Sequence, residues 1–152
     1  MCIRDRFILG SDQGDPIFRK AKVHVVDESG VDIESGGIMY VGQQSKLIIE
    51  EGAKVEVEGR LNAVFGAQVN VEKGGILHIK SGGILRVMHW SDVIVKEGGQ
   101  LIIDDGAIIQ LWDGDPSADG NANIQIYGEL VLNGQFESVS YTHLTLPTNR
   151  EV

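Results

Sequence analysis

Glycine punctuates this chain at a nearly fixed interval, and that interval constrains the fold more than any other feature. Aligned on it, the sequence reads SGGIMYV (35–41), EGAKVEV (51–57), EGRLNAV (58–64), FGAQVNV (65–71), KGGILHI (73–79), SGGILRV (81–87), EGGQLII (97–103) and DGAIIQL (105–111). The shared form is x-Gly-Gly/Ala-x-Φ-x-Φ, with Φ aliphatic, recurring every seven or eight residues. Alternation within each unit is the period of a strand with one face buried. Glycine before each strand supplies the permissive backbone of a tight corner. Two further units, beginning at Ser45 and Ser91, keep the alternation without the glycines. A helix is excluded, because the apolar spacing is two and glycine interrupts every eighth residue.

Short strands repeated at a fixed period make a solenoid, since no single unit can bury its own apolar face. Three units give a rung of 22–24 residues, so the sequence predicts an all-β, three-sided, right-handed parallel β-helix of four to five rungs. The register places Met39, Leu61, Leu85 and Ile109 in one inward column. Leu47, Val69, Val93 and Ile124 form the second, and Val55, Leu77, Leu101 and Leu130 the third. Their inward partners two residues on are Val41, Ile49, Val57, Val71, Ile79, Val87, Val95, Ile103, Leu111, Ile126 and Leu132. Residues 23–33 read as an incomplete rung before these, and both ends of the stack are open. A six-residue left-handed helix does not fit glycines at 74, 82, 98 and 106. A β-sandwich would need hairpin turns in place of near-identical corners.

The two ends read differently. Ser138-Val139-Ser140-Tyr141-Thr142-His143 can be encoded TCT GTC TCT TAT ACA CAT, whose reverse complement translates as Met-Cys-Ile-Arg-Asp-Arg, the first six residues. That DNA resembles the transposase-end adaptor of fragment sequencing libraries. The expected organisation is therefore adaptor-derived residues 1–6, a β-helix fragment over 7–137, and adaptor-derived residues 138–152, the whole an internal piece of a longer protein. On this reading the single cysteine, Cys2, belongs to the scar, and residues 7–137 have none. The chain carries a formal charge of −9, which opposes binding to a nucleic-acid backbone or anionic lipid. Its apolar runs are too short to insert in a membrane.

One insertion breaks the repeat. Residues 112–123 are about eight residues longer than any other corner and carry the candidate binding residues Trp112, Asp113, Asp115, Asp119 and Asn121. Projecting loops on a rigid scaffold are where binding concentrates. Asp113, Asp115 and Asp119 offer hard oxygen ligands and are the candidate metal set, for Ca²⁺, which is the one cofactor candidate. Ala118 and Ile124 stand where an EF-hand loop needs Gly and Glu. Trp112 with the polar groups would instead contact a glycan, and the same composition also satisfies an ordinary solvated turn. Acid pairs at Glu50-Glu51 and Asp104-Asp105 occupy the variable, solvent-facing position of the corners, so no catalytic residue is assigned. His24 and His78 fall at outward strand positions, and His89-Trp90 reads as a bulky pair capping a bend. Outward Ile38, Ile76, Ile84, Ile94 and Ile102 suggest a moderately apolar flank or plain β-propensity.

In the stretches KLIIEEGAKVEVEG (46–59), EKGGILHIKSGGILRV (72–87) and KEGGQLIIDDGAIIQLW (96–112), the chain resembles repeat regions of large secreted Bacteroidota proteins. The resemblance implies a right-handed β-helix exported by the type IX route to the cell surface or medium. It implies a non-catalytic extracellular or cell-surface scaffold, acting as adhesin stalk, spacer or glycan-binding surface. The partners would be polysaccharide, other surface proteins and neighbouring coils of the parent chain. Two alternatives stand beside it: a fragment of a carbohydrate-active β-helix enzyme, lyase or hydrolase, and an intracellular polymerising β-helix like the bactofilins.

Overall fold

A computed structural model describes residues 1–4, 6–9, 22–42, 44–88, 90–112, 122–133, 139–140 and 144–145; for 6–9, 112, 139–140 and 144–145 only the backbone is described. Its strands form three parallel sheets, each built from every third strand of the chain. The first sheet takes β1 (Cys2–Ile3), β4 (Gly30–Ile33), β7 (Lys54–Val57), β10 (Ile76–Ile79), β13 (Gln100–Asp104) and β16 (Glu129–Asn133). The second takes β2 (Arg6–Leu9), β5 (Ile38–Val41), β8 (Arg60–Ala63), β11 (Ile84–Met88), β14 (Ile108–Trp112) and β17 (Val139–Ser140). The third takes β3 (Lys22–Val25), β6 (Lys46–Ile49), β9 (Gln68–Val71), β12 (Asp92–Val95), β15 (Asn123–Ile126) and β18 (Leu144–Thr145). Among the described residues there is no helix. The chain is thus a three-sided β-solenoid of about four turns.

The inward columns pair as the repeat predicts. Met39 pairs with Leu61, Leu61 with Leu85 and Leu85 with Ile109. Leu47, Val69, Val93 and Ile124 follow in the third sheet, and Val55, Leu77, Leu101 and Leu130 in the first. Their partners two residues on are buried as well, except Leu132, which is only partly covered. Each fully buried aliphatic contributes roughly 1.5–3 kcal/mol relative to exposure, so the columns account for the fold. A fourth column lines one corner: Ser45, Ala67, Ser91 and Ala122 are all buried. Small side chains are needed there because the backbone turns through the core. The Ser91 hydroxyl is satisfied by accepting the Ala67 N–H at 3.2 Å.

Corner length sets rung length. In the common four-residue corner, such as Lys80–Gly83, the Gly83 N–H donates to the Lys80 carbonyl at 2.8 Å while Gly82 sits at φ 80°. A positive φ at the third position is what a type II turn demands. Gly83 is required for a different reason, since a Cβ there would lie 2.1 Å from the Val57 carbonyl oxygen of the coil below. Two corners are shortened to two residues, Glu58–Gly59 and Tyr127–Gly128. At both, one carbonyl of the coil below, Ile33 or Val95, accepts two successive N–H groups. The step from Val55 to Leu77 is therefore 22 residues, against 24 from Leu77 to Leu101.

Two features go beyond the sequence reading. Residues 23–33 are part of a fuller first coil, because β2 pairs with β5 across Arg6–Leu9 and β1 pairs with β4. Asn62, at an outward position, is only 2% exposed. It lies between Tyr40 and Arg86 in register, and these longer neighbours cover it.

Candidate functional site

The predicted binding loop is anchored by described residues at both ends. Trp112 pairs in register with Met88, and the Asn123 N–H donates to the Ser91 carbonyl at 3.1 Å. From Leu111 to Ile124 is 13 positions, where the same corner one coil below, Val87 to Val93, takes six. The insertion therefore springs from the corner directly above Trp90 and adds seven residues to it. Asp113, Asp115, Asp119 and Asn121, and with them the calcium set, lie outside the described residues, as does the Trp112 side chain.

Trp90 stands at the bend before β12, where the sequence reading put it; its partner in that reading, His89, is outside the described residues. It sits at φ 62° with its side chain 54% exposed. The equivalent corner one coil below has Gly66 at φ 78° in that place. The outer face beginning at Trp90 belongs to the third sheet, where β9, β12 and β15 present Gln68, Asn70, Asp92, Ile94, Asn123 and Gln125. Asn123 Nδ2 donates to Asp92 Oδ1 at 3.2 Å. At the far end of β15, Tyr127 is 57% exposed and its hydroxyl donates to Gln125 Oε1 at 3.4 Å.

A second arrangement, which sequence reasoning missed, lies on the first sheet. The corner Glu58–Gly59 is recessed between the longer corners below and above it. The recess is a hollow of ≈440 Å³ lined by Asp32, Ile33, Glu34, Glu56, Glu58 and Lys80. A smaller one of ≈190 Å³ shares Glu58 and runs past Arg60 and Gly82. Lys80 Nζ lies 2.5 Å from Glu56 Oε2 and 3.2 Å from Glu58 Oε1, and Lys54 Nζ lies 2.8 Å from Glu56 Oε1. The hydrogen bonds from Lys54 and then Lys80 hold the Glu56 carboxyl down at about 2, while Glu56 and Glu58 push the Lys80 ammonium up. One coil higher, His78 Nε2 and Asp104 Oδ2 are 2.8 Å apart, and Asn133 Nδ2 donates to Asp104 Oδ1 at 3.0 Å. The Asn133 bond, then His78, lowers the Asp104 carboxyl.

Lys80 to Glu56, His78 to Asp104 and Asn133 to Asp104 are rung-to-rung ties, while Lys54 and Glu56 pair along one strand. A general acid working near neutrality needs a carboxyl shifted upward, whereas those shifted here go down. Of the predicted corner acids, Glu50 is tied to His24 Nδ1 at 2.5 Å and Asp104 to His78, while Glu51 and Asp105 are exposed. The outward isoleucines do not form one flank: Ile38 and Ile84 lie on the second sheet with Arg60 between them, Ile76 and Ile102 on the first, Ile94 on the third. Among the described residues no three His, Cys, Asp or Glu side chains are grouped to hold a metal ion.

The fold and these faces define a three-sided parallel β-solenoid with polar, laddered outer surfaces. Comparison with protein-family models, with curated proteins and with solved structures finds no match to this chain.

Proposed function

We propose that this chain is a stretch of non-catalytic β-solenoid scaffold, displayed outside the cell or on its surface as spacer, adhesin stalk or glycan-binding surface. Its parent would be a longer surface protein of the Bacteroidota type that its repeats resemble, and its partners polysaccharide, other surface proteins and adjoining coils. The observation that supports this most is repetition in register. Each described coil places the same inward column on the last, and outward side chains such as Lys96 with Glu72, at 2.7 Å, tie one coil to the next. Such a design fixes length and stiffness, because each coil contacts only its neighbours. Among the described residues no helix is long and apolar enough to cross a membrane.

Two experiments test the reading. Duplicating residues 61–84 should add one coil, lengthening the particle in small-angle scattering by about 4.8 Å without lowering its melting temperature. Incubation with neutral and acidic polysaccharides should release no new reducing ends. Turnover, or collapse of the duplicated chain, would overturn it. An antibody to residues 22–133 should label unpermeabilised source cells; labelling only after permeabilisation would refute the surface location.

A further inference from the structure

We propose that the outer face of the third sheet between Trp90 and Tyr127 binds an extended, neutral polysaccharide. The inference rests on the glycan-binding form of the scaffold reading and gives it a place and a ligand class.

Four observations carry it. Trp90 stands at a left-handed corner position that Gly66 and Gln44 fill in the two coils below, so the backbone there does not call for an indole. Nothing in the core requires that indole, since more than half of it faces solvent. Next, Trp90 and Tyr127 are the exposed aromatic side chains among the described residues, and they stand at opposite ends of one face. Aromatic rings of this kind offer a flat apolar platform with a wet edge, which suits the C–H face of a pyranose.

The outward positions between the two rings form the third observation. Asn123 and Gln125 on β15 are carboxamides, each both donor and acceptor, which is the complement of sugar hydroxyls, and Gln68 extends the row on the other side of β12. The bonds from Asn123 to Asp92 and from Tyr127 to Gln125 fix those side chains in place. The first sheet's outer face is by contrast charged and internally ion-paired around Glu56 and Lys80. Finally, Tyr127 follows Ile126, the register partner of Val95, so the rings are six positions apart along the strands and one strand apart across them. Four of those positions are extended strand, about 13 Å at ~3.3 Å per residue, room for more than one sugar ring in line. Asp92 on the face and a chain charge of −9 select against acidic polysaccharide.

The test is affinity electrophoresis of the full chain in native gels containing mixed-linkage β-glucan, galactomannan, arabinoxylan, dextran or polygalacturonate. At least one neutral polymer should retard it. Trp90→Asn, which keeps a residue tolerant of that backbone, should weaken retardation at least tenfold with an unchanged or higher melting temperature. Trp90→Phe should restore part of the affinity, and Val26→Ser, at another exposed apolar position, should change nothing. No retardation by any neutral polymer, retardation by polygalacturonate alone, or full binding by Trp90→Asn would each overturn the proposal. Cleavage of a bound polymer would instead overturn the non-catalytic reading and leave the binding face standing.

Discussion

The adjacent glycines 82 and 83 should respond very differently to the same methyl group. Gly82 sits at φ 80° with nothing within 4 Å of the place a Cβ would take, so Gly82→Ala meets only the left-handed backbone penalty. That penalty is about 1–2 kcal/mol, offset by about 0.4–1 kcal/mol of reduced unfolded-state entropy. At Gly83 the backbone penalty is absent, but the Cβ would lie 2.1 Å from the Val57 oxygen and 2.9 Å from the Lys80 oxygen. Ordinary carbon–oxygen contacts are about 3.3–3.6 Å, so the coils must part by about an ångström. The Lys80 N–H to Val57 carbonyl bond and the Ile84 N–H to Gly59 carbonyl bond, both 2.9 Å, span that gap. Losing both costs about 1 kcal/mol each, and overpacking adds about 1–3 kcal/mol. With the same unfolded-state offset, Gly83→Ala should therefore cost about 2–4.5 kcal/mol in urea titrations followed by circular dichroism, and Gly82→Ala about 1 kcal/mol. Gly37 supplies an internal control, because its Cβ would also lie 2.1 Å from a carbonyl oxygen, that of Ile3. Here the neighbour is the two-residue strand β1 at the edge of the sheet, which can move away. Gly37→Ala should cost less than Gly83→Ala, because β1 is an edge strand held by a few backbone bonds, among them the Met1 ammonium to Gly30, Asp32 N–H to Met1 and Glu34 N–H to Ile3. If Gly82→Ala costs as much as Gly83→Ala, or Gly37→Ala as much as Gly83→Ala, the clash argument is wrong.

Three further outcomes follow from the outer faces and the corner column. Glu56 is held near 2 against an ordinary value of 4.5, so its stabilising effect is complete above about pH 4.5 and lost as pH falls toward 2. The urea midpoint of the wild-type chain should drop across that window, and Glu56→Gln should flatten the drop; an equal slope in both would remove Glu56 from the account. Lys80→Asp places a carboxylate beside Glu56 and Glu58 and should destabilise by about 1 kcal/mol at low salt, shrinking as salt rises, whereas a salt-independent loss would point to packing. Ser91→Ala leaves the buried Ala67 N–H without its acceptor and should cost about 1–3 kcal/mol, measured as a shift in the same titration.

The inward half of this fold was legible because burial acts on every second residue. Leu61, Leu85 and Ile109 announce their column through spacing alone, and the register follows once 22–24 residues are known to make a coil. The outward half was harder to read. Glu56 and Lys80 are 24 residues apart and become neighbours only because Val57 and Ile79 pair across adjacent strands, with Lys80 one step beyond. Offsetting the core columns by one would have revealed that ladder, since Glu34, Glu58, Lys80 and Asp104 each follow an inward residue of the first sheet. The short corners carried a fainter sign, inward residues four positions apart (Val57 to Leu61, Ile126 to Leu130) where a four-residue corner puts them six apart, and the recess at Glu58 follows from those two missing residues. The bend at Trp90 was legible from the broken repeat, but its 54% exposure is a property of the folded corner that spacing does not carry.

The ends of the stack follow a different rule from its middle. An open sheet edge presents unpaired N–H and C=O groups that any extended segment can satisfy. The strands β1, β17 and β18 are two residues long, against four or five for those from β4 to β16. The pairing of β1 uses backbone groups, such as the Asp32 N–H donating to the Met1 carbonyl at 2.7 Å, together with Ile3, which is buried against the core. The specificity of the fold lies in residues 22–133, where a one-residue slip would turn every inward aliphatic to solvent. That is also why the seven-residue insertion above Trp90 is informative: it enters at a corner and returns to register at Ile124, so it adds surface without disturbing a single column.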